Sequence, residues 1–130
     1  MRFSMMAVLM FMALGIGCSA SAQNTDCDAS QAAMNRCAGQ QLATLDAELN
    51  KQYKAQIAYL QTPEKKQAFK AAQQKWIAFR DADCMYQAGK AEDSGSIWPL
   101  LQSRCLAEQT RVRVEQLKQY AACRQEGCPN

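Results

Sequence analysis

Gln74-Lys75-Trp76-Ile77-Ala78-Phe79-Arg80-Asp81-Ala82-Asp83-Cys84 sets two large aromatics, an Arg-Asp pair, a second acid and a cysteine on neighbouring helical turns. The stretch holds no Gly or Pro, so nothing in it interrupts a helix. The pattern extends in both directions. Upstream, Gln61-Thr62-Pro63-Glu64 reads as a stop and restart, with Thr62 as N-cap, Pro63 in the first turn and Glu64 at the positive end of the dipole. Downstream, the stripe Phe69, Ala72, Trp76, Phe79, Asp83 and Tyr86 carries the helix to about Ala88. Gly89-Lys90-Ala91-Glu92-Asp93-Ser94-Gly95-Ser96 then breaks it and reads as a flexible loop.

Two further helices flank this one. From Ser30, apolar residues fall at Met34, Ala38, Leu42, Leu45, Leu49, Tyr53, Ile57 and Leu60, in steps of three and four. Asp28 or Ser30 serves as the cap. After the loop, Ser96 caps a third helix, with Pro99 tolerated in its first turn. Its broad face carries Leu101, Cys105, Leu106, Val112, Leu117 and Tyr120, and it fades near Cys123. No strand pattern competes. Short connections between long helices predict an all-α fold, a small antiparallel three-helix bundle running up, down and up.

Residues 1–22 are read apart from that domain. Arg2, the apolar run Met5 to Ile16 and Ala20-Ser21-Ala22 form a secretory signal peptide, with cleavage before Gln23. The remainder, 23–130 with a core of 27–122, is one domain. The apolar run is shorter than the ~20 residues of a membrane span. Leu14-Gly15-Ile16-Gly17-Cys18 also looks like a lipoprotein box, but Gly15 stands where such boxes carry Leu, so a lipid anchor at Cys18 is the less favoured reading. Export places the protein in the periplasm or outside the cell.

Removing the signal leaves Cys27, Cys37, Cys84, Cys105, Cys123 and Cys128, an even set that reads as a disulfide framework in a small exported chain. The chain has no histidine and no C-x-x-C spacing, so neither a metal nor any other cofactor is expected. Cys123 and Cys128 are expected to pair across the Gly127 turn. Similar heights in the bundle favour Cys37–Cys105 with Cys27–Cys84, and Cys84–Cys105 with Cys27–Cys37 is the alternative. Charges are interspersed, and the net charge is +3. With no basic stripe, nucleic acid is not an expected partner.

The candidate chemistry is sparse. Asp83 lies along the aromatic stripe, Arg80 turns partly inward, Arg113 falls inside the apolar arc of the third helix, and Asp46 flanks that of the first. Charges on apolar faces need partners. Asp46, Arg80, Asp81, Asp83 and Arg113 therefore read as a structural polar network that fixes helix register rather than as an acid/base site, since no histidine base is available. A hydrolase using Asp83 and a second carboxylate is the weakest reading. Tyr53, Trp76, Phe79 and Tyr86 offer a sugar-stacking platform only if exposed, and at helical spacing they read as core. Trp98, beside the Asp93-Ser94-Gly95-Ser96 segment, is the aromatic best placed for a partner.

Several ordered blocks together resemble a known family. They are Cys27-Asp28 with Gln31, Met34-Asn35 and Cys37-Ala38; Asp46 with Leu49-Asn50 and Tyr53; Gln74 with Trp76-Ile77, Phe79-Arg80-Asp81-Ala82 and Cys84; Ser94-Gly95-Ser96; and Cys105 with Thr110, Arg113 and Leu117. The chain is similar here to the LprI-type lysozyme-inhibitor domain of bacterial exported proteins. Two features depart from it: Cys123 and Cys128 lie outside the shared pattern, and Ser94-Gly95 replaces a double glycine. The resemblance implies a helical, disulfide-bonded envelope protein, not an enzyme, that binds and blocks a lysozyme-type glycosidase. Asp93, Ser94, Ser96 and Trp98 are the expected contacts. The alternative is a non-inhibitory periplasmic module that binds peptidoglycan, glycan or another envelope protein.

Overall fold

The computed structural model describes residues 26–129. The expected signal peptide at 1–22 and the lipid-anchor candidate Cys18 lie outside the described residues. Within them, α1 spans Gln31–Tyr59, α2 Pro63–Ala88, the single turn α3 Ala91–Ser94 and α4 Trp98–Ala122, with a 3-10 turn at Gly95–Ile97 joining α3 to α4. No strand occurs among these residues, and no helix among them is long and apolar enough to cross a membrane.

The helix ends follow local chemistry. Ser30 in extended backbone accepts a bond from the Ala33 N–H and starts α1. Thr62 accepts from Lys65 N–H and starts α2, with Pro63 and Glu64 in its first turn. Gly89, at φ 72°, ends α2 in backbone that a side chain would disfavour.

The expected flexible loop is instead built from helical turns. Gly89 and Gly95 take positive φ at its two ends, and the segment between them winds into α3. Ser96 therefore sits inside the 3-10 turn and does not cap α4, whose preceding residue is Ile97 with no side-chain cap.

Cross-helix pairs set the topology. Tyr53 stacks on Phe69 with ring centroids 5.2 Å apart, and Asp46 meets Arg80, so α1 and α2 run antiparallel. Gln73 meets Arg113 and Cys84 meets Cys105, so α2 and α4 are antiparallel too. The packing is uneven, however. The backbones of α1 and α4 approach along much of their length, α2 lies less closely on α4, and α1 and α2 touch mainly through long side chains. The arrangement is thus a close α1/α4 pair with α2 laid beside it, not an evenly packed three-helix bundle. Side-chain size supplies the reason. Ala33, Ala38, Ala107 and Thr110 are buried along α1 and α4, whereas α2 turns Phe69, Trp76 and Arg80 inward, and bulk at a contact holds helices apart.

The core centres on Leu49, Val114 and Leu117, with Tyr53, Phe69, Trp76 and Tyr120 packed around them. Every residue of the α1 stripe is buried or half-buried. The stripes on the other two helices need correction. Phe79 is 60% exposed and Tyr86 87% exposed, while Leu101 and Val112 on α4 are also exposed. At about 100° per residue, the inward face of α2 is centred on Gln73, Arg80 and Cys84, rotated away from Phe79 and Tyr86.

The disulfides are Cys27–Cys37, Cys84–Cys105 and Cys123–Cys128, with Cα separations of 5.8, 5.5 and 5.5 Å. The favoured pairs Cys37–Cys105 and Cys27–Cys84 do not form. Cys84 and Cys105 face each other on antiparallel helices, and the lead before Ser30 turns back so that Cys27 meets its own helix. The tail is folded as well. Gln56, almost fully buried, donates its side-chain amide to Pro129 O at 2.7 Å, and the Arg124 guanidinium lies 3.4 Å over the Tyr59 ring.

Candidate functional site

The polar network assembles around Trp76. Arg80 donates through Nη1 to Asp46 Oδ1 at 3.2 Å and to Thr110 Oγ1 at 3.1 Å, and through Nε to Asp81 Oδ1 at 2.9 Å. One guanidinium thereby ties α1, α2 and α4 together. Its carbon also lies 5.2 Å from the Trp76 ring centroid, while that of Arg113 lies 5.7 Å away, so the indole borders two cations.

Two residues of the expected network sit apart from that knot. Asp83 accepts from Gln87 at 2.8 Å and from Gln109 at 3.1 Å. Arg113 donates to Gln73 Oε1 at 3.0 Å and to Gln116 Oε1, both neutral amides. Among the described residues it makes no ion pair. Burial pushes its pKa below the usual arginine value, and the nearby Tyr120 partly offsets this. Asp46 and Asp81 thus share one cation, and Asp83 is held by amides. Among the described residues, no group of three or more His, Cys, Asp or Glu is placed to hold a metal ion.

The connection between α2 and α4 forms a braced knob. The Trp98 indole N–H donates to Gly89 O at 2.8 Å, and Ser94 Oγ donates to Ala88 O at 3.3 Å. Asn35 on α1 donates its side-chain amide to Ser96 O at 3.0 Å. A Cβ at Gly89 would come within 3.3 Å of Ser94 Oγ, so close folding and positive φ both favour glycine there. Ser94 and Trp98 are half-buried and act as the brace, whereas Glu92, Asp93, Ser96 and Ile97 are exposed. Two features of this region were not expected from the sequence: the acidic tip contributed by Glu92, and the exposed aromatics Phe79 and Tyr86 two turns apart on α2. Their only signal was that polar Gln73 and Arg80 share a helical face with Cys84, which would have turned the inward side away from them.

At the opposite end, the C-terminal turn of α1, the start of α2, α4 and the folded tail enclose a cleft of about 310 Å³. Leu60, Phe69, Ala72 and Tyr120 give it apolar walls, and Arg113 and Lys65 border it.

The described residues form a helical domain held by three disulfides, with a braced polar connection between α2 and α4. Comparison with known sequences places the chain in a family. The family model for Lysozyme inhibitor LprI matches residues 18–117, and the chain belongs to that family. It is also similar to the uncharacterized protein R02472 of Rhizobium meliloti (strain 1021), at 40% identity over 102 residues, covering 69% of this chain and 73% of the relative. No solved structure matches the chain. The family match ends before Cys123, so the disulfide-closed tail is additional to it.

Proposed function

We propose that the protein is exported, with residues 1–22 as its signal and 23–130 as one domain, and acts in the periplasm or outside the cell as a non-catalytic inhibitor of a lysozyme-type glycosidase. Membership of the LprI family supports the inhibitor class. The braced knob carries the structural side of the reading. An exposed segment already held by hydrogen bonds loses little conformational freedom on entering a cleft, which favours affinity. Asp93 and Ser96 supply exposed contacts, and Ser94 and Trp98 hold them in place. Without Arg2, which lies in the proposed signal, 14 basic and 12 acidic residues leave a net charge of +2, which opposes steering toward a cationic lysozyme. Exposed Glu92 and Asp93 nevertheless outweigh Lys90 at the tip and supply the complementary sign where contact occurs.

The test is inhibition of cell-wall lysis by purified oxidised protein. Stoichiometric protein slows lysis by at least one lysozyme type, and Asp93→Lys with Ser96→Arg weakens inhibition about tenfold or more, equivalent to ~1.4 kcal/mol. Absence of inhibition of every lysozyme type at micromolar protein would end this reading.

One observation favours a second reading, a non-inhibitory module for peptidoglycan, glycan or another envelope protein. Phe79 and Tyr86 present exposed rings that suit sugar stacking. Retention on intact sacculi without lysozyme, lost in Phe79→Ser with Tyr86→Ser, separates it from inhibition.

A further inference from the structure

The cleft at the C-terminal end of α1 has an unusual balance of charge. Its walls are apolar, yet Arg113, only 7% exposed, borders it. Gln73 and Gln116 satisfy N–H groups of this guanidinium, and the Tyr120 side chain and the Trp76 ring lie beside it, but none of these neutralises it, and no carboxylate pairs with it among the described residues. A buried cation facing apolar walls is stabilised by an anion that brings its own apolar body. Lys65 adds a second positive charge at the border. The cleft volume lies at the small end of the range for ligand sites, and apolar walls with few polar groups are their usual composition.

We infer that this cleft binds a small amphipathic carboxylate, with the carboxylate on Arg113 and an alkyl chain against Leu60, Phe69, Ala72 and Tyr120. The folded tail completes the site, since Pro129 lies at the cleft and Gln56 holds it there. The tail is closed by Cys123–Cys128, so the site depends on a part of the chain beyond the family match. It also lies at the opposite end from the knob, so the inference is independent of the inhibitor reading.

Titration calorimetry of the oxidised protein with sodium decanoate, below its micelle concentration, tests the inference. Decanoate binds one to one, and decanol and acetate each bind at least tenfold more weakly, because the first lacks the charge and the second the chain. Arg113→Gln weakens decanoate at least tenfold, and Arg113→Lys does so less. Ala72 is exposed on α2, so Ala72→Trp fills the cleft without entering the core, and it also abolishes binding. Decanol binding as tightly as decanoate, or undiminished decanoate binding to Ala72→Trp, would overturn the assignment. The Ala72→Trp and decanol arms decide the matter even if Arg113→Gln fails to fold.

Discussion

The side of α4 turned toward α1 and the side turned toward α2 solve different problems. Toward α1, Ala107, Val114 and Leu117 are buried, and Val114 and Leu117 pack with Leu49 in an apolar seam where the two backbones approach. Toward α2, Cys105, Gln109 and Arg113 meet a disulfide partner, a carboxylate and an amide. The first side gains stability from area removed from water, which is nondirectional. The second gains specificity, because each bond requires one register. The helix that is stapled and hydrogen-bonded is also the one that stands off, and the standing-off leaves both the cleft near Tyr120 and the outward-facing aromatics.

If the seam carries the stability, its centre should be the most costly place to remove atoms. Leu117 has no exposed surface. Leu117→Ala is expected to lower unfolding free energy by about 2–5 kcal/mol, measured by urea denaturation of the oxidised protein. A loss below about 1 kcal/mol would mean that the two sides of α4 are not different in kind.

The polar side should be less costly and should show coupling. Arg80 donates to Thr110, whose side chain is fully buried, and to Asp46, which is partly exposed. Truncation by Arg80→Ala leaves the threonine hydroxyl without that donor, while Asp46 regains water. A cost of about 1–3 kcal/mol follows from the unsatisfied buried group. Thr110→Val in the same protein should recover part of it, because removing both partners costs less than removing one. Strict additivity in the double-mutant cycle would show that the Arg80–Thr110 bond is not what holds the register.

The same contrast explains what could be read from the residues alone. The α1 stripe was legible because its inward positions are apolar, and the caps at Ser30 and Thr62 were legible because their chemistry is local. On α2 the inward positions Gln73 and Arg80 are polar and the outward ones Phe79 and Tyr86 are aromatic, so hydrophobicity pointed about a quarter-turn off. The wrong disulfide preference has a related origin: height along a bundle was visible in the sequence, but the rotation that sets Cys84 opposite Cys105 was not. At the knob, two glycines suggested flexibility, whereas its order comes from long-range bonds by Asn35 and Trp98. The burial of Arg113 among amides depends on three helices at once, and no local pattern carries that.

The smallest expected effect is on the outer face of α2. Tyr86 is 87% exposed, so Tyr86→Ser removes little packing and should change stability by no more than about 0.5 kcal/mol. That near-silence gives the variant its value. If this face serves only as solvated helix surface, both lysozyme inhibition and retention on sacculi are unchanged. If it receives a sugar, retention falls while unfolding is unaffected, a separation that neither Leu117→Ala nor Arg80→Ala can give, since both act on folding first. A stability loss of several kcal/mol from Tyr86→Ser would instead mean that the ring is covered in solution, and the division of α2 into an inward polar face and an outward aromatic one would have to be redrawn.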